Sequence, residues 1–334
     1  MSIKVGINGF GRIGRLALRA AWGWPELDFV QINDPAGDAA THSHLLNFDS
    51  IHGRWQREAS ADGDCLVIDG QRIKVSANKA ISETDWSGCD LVIEASGKMK
   101  TVAVLQQYLE QGVKRVVVSA PVKEPGALNI VIGVNDGLFD PAQHRIVTAA
   151  SCTTNCLAPL AKVLHEAVGI RQGLLNTVHS YTNDQNLLDK AHSDLYRARA
   201  AALSMIPSTT GAAKAIGLVL PELAGRLDGL SVRVPTPNVS LVDLTFIAEN
   251  APESVEAINH ILREGAQKMP AGVMECNEEA LVSCDFNGYP ASCVADLSQT
   301  RVQGELVKVM AWYDNEWGFS NRMLDVLLHW DGAK

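Results

Sequence analysis

Six residues near the N-terminus, Gly9-Phe10-Gly11-Arg12-Ile13-Gly14, constrain the fold of this 334-residue chain more than any other segment. Glycines at this spacing let a strand turn abruptly into a helix and let backbone N–H groups at the helix start approach a pyrophosphate. The pattern is weak by itself, so its surroundings decide. An apolar run from Lys4 to Ile7 ends just before it, helical periodicity covers Arg12 to Trp22, and a second apolar run from Leu27 to Ile32 leads into Asn33-Asp34. Strand, glycine turn, helix and strand in that order predict a dinucleotide-binding unit. Asp34 would accept hydrogen bonds from an adenosine ribose and repel a 2′-phosphate, so NAD is expected over NADP. The bland alternative is a strand-helix turn that binds nothing.

The alternation continues downstream. Leu91 to Ile93 and Val116 to Val118 flank a helical stretch from Val102 to Gln111, implying further βαβ units around a parallel sheet. Leu66 to Val75 differs, because Asp69-Gly70 between two apolar runs signals a hairpin. Beyond about residue 150 the pattern changes. A helix from Leu157 to Ala167 precedes longer strands at Gly173 to Tyr181, Leu230 to Val234, Val239 to Ile247 and Leu306 to Trp312, with a helix from Glu253 to Gly265 among them. Asn321 to Trp330 is apolar at helical spacing and reads as a closing helix. The fold class is therefore α/β: a parallel-sheet domain followed by a mixed α+β domain, a division that the length also suits.

Composition removes several functions. With 29 basic and 38 acidic residues the formal charge is -9, which repels nucleic acid and anionic lipid. No apolar run approaches the roughly 18 residues of a membrane span. The start, Met1-Ser2-Ile3-Lys4, reaches Gly6 too soon for a signal-peptide core, so a cytoplasmic location is expected. Seven cysteines form no disulfide framework, and the spacings of a zinc site are missing, so no metal is expected.

One cysteine has unusual neighbours. Ala149-Ala150-Ser151-Cys152-Thr153-Thr154-Asn155-Cys156 lies where a strand from Arg145 to Thr148 gives way to the helix from Leu157. Ser151 and the threonines suit an N-cap, and on that reading Cys152 is inert. The sharper reading puts Cys152 at the positive end of a helix dipole, with its thiolate populated near neutral pH and fit for acyl chemistry. Cys156, one turn on, reads as structural. A nucleophilic thiol wants a base. His165 is 13 residues along the same helix, about 20 Å away, and cannot serve. His179 ends a strand and opens the polar run Ser180-Tyr181-Thr182-Asn183-Asp184-Gln185, a position typical of an active-site rim and also of merely hydrogen-bonded surface histidines. Ser208-Thr209-Thr210-Gly211, before a helical run from Ala212 to Val219, offers hydroxyls and free N–H groups to an oxyanion. Arg233, set among apolar residues, is either salt-bridged or faces a ligand phosphate. Arg197 and Arg199 carry the same ambiguity, the alternative being a solvated helix face.

Taken together these segments are far more specific than any one motif. Val5 to Arg15, Ala150 to Cys156, His179-Ser180-Tyr181-Thr182, Thr210 to Lys214, Arg233-Val234-Pro235-Thr236-Pro237-Asn238 and Trp312-Tyr313-Asp314-Asn315-Glu316 resemble the glyceraldehyde-3-phosphate dehydrogenase family, in its order and over nearly the whole chain. The resemblance implies a Rossmann NAD-binding domain of residues 1–150, completed by a C-terminal helix at 315–334, a catalytic domain of 151–314, and a homotetramer. It implies that Cys152 attacks the aldehyde of glyceraldehyde 3-phosphate, with His179 as acid and base. Hydride passes to NAD, and phosphate attacks the resulting thioester to give 1,3-bisphosphoglycerate. Gly9, Gly11, Arg12, Ile13, Gly14, Asp34, Asn78, Ser119 and Asn315 fall at cofactor positions. Thr182, Arg197 and Arg233 would hold the substrate phosphate, and Ser151, Thr153, Thr210 and Gly211 the attacking phosphate.

The chain departs from the family pattern at Asp34-Pro35-Ala36, Asn78, Ala191 and Tyr196. The segments Ala20 to Glu26 and Ile32 to Asp38 look more like relatives associated with arsenic resistance, in which arsenate would replace phosphate and the product would be 1-arseno-3-phosphoglycerate. Asn315 to Arg322 is also similar to erythrose-4-phosphate dehydrogenase, although Thr210-Gly211 favours a phosphorylating enzyme. A third reading, a catalytically silent NAD-binding regulatory protein, is opposed by the retained Cys152 and His179.

Overall fold

The computed structural model describes residues 2–329, and its contacts divide the chain into two compact units. The first comprises the chain up to Ile130, Leu138–Ala150 and the residues from Ser320 onward; the second comprises Val131–Gly137 and Ser151–Phe319. Two short stretches, 131–137 and 315–319, thus group with the second unit, whereas the expected partition gave them to the first. Residues 330–334 of the expected C-terminal helix lie outside the described residues.

In the first unit nine strands form one sheet, in the order Leu128–Asn129, Ile146–Thr148, Arg115–Val118, Leu91–Glu94, Ile3–Asn8, Leu27–Asn33, Gln71–Ser76, Cys65–Ile68 and Ala59–Asp62. All pairings from Leu128–Asn129 through Gln71–Ser76 are parallel. The inner strands are apolar on both faces, as a sheet covered on both sides requires: Val5, Ile7, Val92 and Ile93 are all 0% exposed. Their register sets Asn8 between Asn33 on one neighbour and Glu94 on the other. The remaining edge is antiparallel, and its hairpin turns on Asp69 and Gly70, both left-handed at φ 49° and 82°, as the Asp-Gly signal predicted.

The second unit carries a mixed sheet in the order Ile206–Thr209, Leu227–Val234, Ile170–Ser180, Ser240–Ala248, Leu306–Tyr313, Cys293–Asp296 and Met274–Asn277. Ile170–Ser180 runs parallel to Leu227–Val234, in a register that pairs His179 with Arg233. Helix Cys152–Val168 starts five residues before the expected Leu157, because Ser151 caps it by accepting a hydrogen bond from the Thr154 backbone at 3.1 Å. Between Ser180 and Ile206 the only regular element is a short 3₁₀ turn, Ala201–Leu203, so Arg197 and Arg199 do not sit on a helix face. No described helix is long and apolar enough to cross a membrane.

Candidate active and cofactor sites

Cys152 is the first residue of its helix, and its sulfur lies 3.7 Å from His179 Nε2. His179, 4% exposed, ends the neighbouring strand and points its other ring nitrogen at the Ser180 carbonyl, 2.7 Å away. Nδ1–H therefore donates to Ser180, which leaves the Nε2 lone pair facing the thiol. Arg233 Nη1 donates to the same carbonyl at 3.1 Å and stands 3.0 Å from His179 Nδ1. Burial, reinforced by the Arg233 charge, pushes His179 down to about 3. Burial also pushes the Cys152 thiol up, and the Arg233 guanidinium opposes this without reversing it. Burial thus works against both thiolate and imidazolium, while Arg233 and the helix dipole, worth roughly 0.3–1 kcal/mol, work for the thiolate.

The anion-binding candidates divide in two. Thr182 Oγ1 lies 3.5 Å from Arg233 Nη1, and Arg197 and Arg233 are close enough for each charge to act on His179. Arg197 is braced by Ser208 Oγ, at 2.9 Å from Nε and 2.6 Å from Nη2, and by Asp184. Of the second group, Thr210 Oγ1 accepts from the Ala212 backbone at 3.2 Å, and Gly211 caps the helix Ala212–Val219 with open space where a side chain would be. The other two hydroxyls are engaged elsewhere. Ser151 Oγ is the helix cap and lies 2.6 Å from Thr154 Oγ1, and the Thr153 hydroxyl turns inward to Tyr313 Oη at 2.9 Å. Thr153, at the second helical position, is 5% exposed.

In the first unit a cavity of about 300 Å³ is lined by Asn8, Gly9, Gly11, Asp34, Pro35, Ala36, Asn78, Lys79, Ala95, Ser96, Lys98 and Met99. Gly9, at φ +93°, leaves no room for a side chain, since a Cβ would stand 2.3 Å from the Ser96 nitrogen. At Gly14 a Cβ would stand 2.2 Å from the Gly9 carbonyl oxygen, whereas at Gly11 it would meet nothing within 4 Å. Two glycines therefore close the turn and the third leaves the helix N-terminus open, the donor set that a pyrophosphate needs. Asp34, fixed by the Phe10 N–H at 2.7 Å and the Ala36 N–H at 2.8 Å, supplies the carboxylate at the cavity wall. These residues fit a dinucleotide.

Other cofactor candidates are placed differently. The Arg12 guanidinium grips both carboxylate oxygens of Asp49; burial pushes that carboxyl up, but Arg12 and two backbone N–H groups outweigh it and hold it at about 2. What Arg12 and Ile13 offer is backbone in the first helical turn. Asn78 lines the cavity, but its amide nitrogen donates to the Glu83 carbonyl at 2.8 Å and to Thr84 Oγ1 at 2.9 Å. Ser119 follows strand Arg115–Val118, its N–H bound to the Glu94 carbonyl at 2.9 Å. Asn315 belongs to the second unit, where its Oδ1 accepts from Ser180 Oγ at 2.9 Å and Ser240 Oγ at 3.0 Å.

Sequence reasoning missed two contributors. Tyr313 is buried with its hydroxyl between Thr153 and Thr177, each 2.9 Å away, and its ring packs edge-on to His179 at 5.9 Å. Its place at the end of an alternating strand was the available signal. Ala150 holds a left-handed backbone, φ 53°, immediately before the Ser151 cap, a conformation costing roughly 1–2 kcal/mol that no sequence pattern announces.

Comparison with known proteins agrees with this layout. Residues 3–102 match the family model described as glyceraldehyde 3-phosphate dehydrogenase, NAD binding domain, and residues 151–315 match its C-terminal domain. The chain is 52% identical over 330 residues to glyceraldehyde-3-phosphate dehydrogenase 3 of a Nostoc species, covering 98% of this chain and 97% of the relative. It is 50% identical over 330 residues to the glyceraldehyde-3-phosphate dehydrogenase of Geobacillus stearothermophilus, with the same coverage, and 52% identical over 334 residues to that of Pseudomonas aeruginosa, covering 98% of each.

Proposed function

The chain belongs to the glyceraldehyde-3-phosphate dehydrogenase family, and from that premise we propose how its own residues perform the reaction. The activity is NAD-dependent oxidation of glyceraldehyde 3-phosphate through a cysteine thioester with phosphate as acyl acceptor. Cys152 is the nucleophile and His179 the base; the observation that carries this is the 3.7 Å approach of the sulfur to Nε2, on the side of the ring away from Ser180. As the sulfur attacks the aldehyde carbon, Nε2 takes the thiol proton and passes it to the carbonyl oxygen, giving a hemithioacetal and a free Nε2. Bound NAD would accept the hydride from that carbon, and Nε2 takes the hydroxyl proton, leaving a thioester on Cys152. A phosphate oxygen attacks the thioester carbon, and the sulfur departs and regains a proton from His179.

Thr182, Arg197 and Arg233 take the substrate phosphate in this reading. Its charge offsets the two guanidinium groups whose field depresses His179, so the base strengthens as substrate arrives. Thr210 and Gly211, with the backbone at Ser151 and Thr153, take the attacking anion. Gly9, Gly11 and Gly14 make way for the pyrophosphate, Asp34 holds the adenosine ribose, and backbone at Arg12 and Ile13, with Asn78 and Ser119, completes the cofactor contacts of the first unit. Arsenate, of the same shape and charge, is accepted by the same groups.

The large exposed apolar side chains of the second unit, among them Leu187 at 78%, Leu195 at 81%, Leu203 at 80% and Met205 at 75%, support a homotetramer. The acidic balance supports a protein without nucleic-acid or anionic-membrane partners, and we read its location as the cytoplasm. The test of the reading is a rapid-mixing experiment without phosphate. One NADH per chain should form in a burst, and phosphate should then restore turnover; steady turnover without a burst would remove the thioester from the mechanism.

A further inference from the structure

Beneath the dinucleotide cavity of the first unit the hydrogen bonds converge on one carboxylate, and we propose that Glu94 is a positioning residue that sets dinucleotide affinity by orienting Asn8 and Ser96. The proposal rests on the cofactor reading of that cavity. Glu94 is 1% exposed and its partners are donors only. Oε2 accepts from Asn8 Nδ2 at 2.7 Å and from Tyr108 Oη at 2.6 Å, and Oε1 accepts from the Ser96 N–H at 2.8 Å and from the Ser96 hydroxyl. Among the described residues no cation faces it. Strand Ile3–Asn8 presents Asn8, the turn after Glu94 presents Ser96, and helix Val102–Glu110 presents Tyr108, the one titratable group of the three.

The string continues beyond Asn8. Asn8 Oδ1 accepts from Asn33 Nδ2 at 2.8 Å, and Asn33 Oδ1 accepts from the Asn78 N–H at 2.9 Å and from Ser76 Oγ at 2.8 Å. The side-chain amides of Asn33 and Asn8 each donate toward the carboxylate and accept on the far side, so both are ordered in one sense; Asn33 Nδ2 also donates to the Asn78 carbonyl at 3.0 Å. That sense follows from the chemistry of Glu94: an ionised carboxylate can only accept, and each amide along the line must then turn its oxygen to the next donor. Asn8 and Ser96 both line the cavity, so one buried charge orients polar groups at its wall. A glutamine in place of Glu94 has no satisfactory setting, because whichever oxygen becomes NH₂ faces a donor already aimed at it. Protonation has a similar effect. Burial raises the Glu94 carboxyl, with Ser96, Tyr108 and Asn8 pulling it back, so this loss comes on as the pH falls.

The experiment measures NAD dissociation constants by calorimetry against pH for the full-length parent, Glu94→Gln and Tyr108→Phe. In the parent, affinity should hold near neutrality and fall on acidification. Glu94→Gln should bind NAD about tenfold more weakly at neutral pH, with no acid limb, and KM for NAD should rise while KM for the aldehyde holds. Tyr108→Phe keeps the charge but removes a bond that favours it, so its acid limb should move to higher pH. That shift is one a merely structural role would not produce, and it carries the test if Glu94→Gln fails to fold. Parent affinity in Glu94→Gln, or an unmoved acid limb in Tyr108→Phe, overturns the proposal. Failure of the parent to bind NAD would instead overturn the cofactor reading.

Discussion

Arg233 stands opposite His179 on the adjacent parallel strand, with its Nη1 3.0 Å from the imidazole Nδ1. A fixed cation at this distance disfavours imidazolium and favours thiolate, so the two partners of the catalytic pair feel it in opposite senses. With burial it keeps His179 neutral down to about 3, and it draws the Cys152 thiol back toward ionisation against burial.

The pH dependence of thiol alkylation separates the two roles. In the parent, the rate of iodoacetamide reaction at Cys152 should rise with pH as the thiol ionises. His179 is already neutral, so His179→Asn should leave the midpoint of that rise in place while abolishing most turnover. Removing the cation in Arg233→Ala should move the midpoint upward by about 1 unit or more, because thiolate loses its stabilising charge. An upward shift in His179→Asn would show that an imidazolium supports the thiolate after all.

The two cysteines of the helix should behave unequally. Cys152→Ser should eliminate the acylation burst and turnover and leave NAD binding intact. Cys156 is 0% exposed, with its sulfur 3.9 Å from the Ala311 carbonyl, so Cys156→Ser should cost about 1 kcal/mol of stability and retain substantial activity. Denaturant melts and burst amplitudes check both; a lost burst in Cys156→Ser would give that thiol a chemical role.

Cofactor choice should turn on Asp34. Asp34→Ala should weaken NAD by about 1–2 kcal/mol, the scale of charged hydrogen bonds, and improve the relative use of NADP. Equal kcat/KM for the two cofactors in the parent would contradict the assignment.

Gly9 is predicted to tolerate no side chain. Alanine there meets the Ser96 backbone in a left-handed conformation, so Gly9→Ala should lower stability by about 2–4 kcal/mol, read by thermal melting of the NAD-free protein. A melt within 1 °C of the parent would show that the turn adapts.

Phosphate and arsenate should both serve as acyl acceptor, since hydroxyl and N–H donors discriminate little between tetrahedral anions of equal charge. The ratio of kcat/KM at saturating NAD and aldehyde measures this. A preference beyond about 100-fold, roughly 2.7 kcal/mol, would mean that the pocket discriminates.

What the sequence determined by itself was mostly local and periodic. Glycine spacing marked the turn at Gly9, Asp69-Gly70 marked a hairpin, and apolar alternation marked the inner strands, because these signals express backbone sterics and burial residue by residue. The order of segments was enough to identify the family. What only the tertiary structure decided were relations between residues far apart in the chain. The Thr153 hydroxyl meets Tyr313, 160 positions away, and Arg12 is occupied by Asp49. Burial opposes ionisation of both thiol and imidazole, and desolvation depends on everything packed around them, whereas the helix dipole that suggested a thiolate is visible from the sequence alone. Protonation states and hydrogen-bond direction are set by the sum of surrounding dipoles, charges and excluded water, and that sum exists only once the strands are in register.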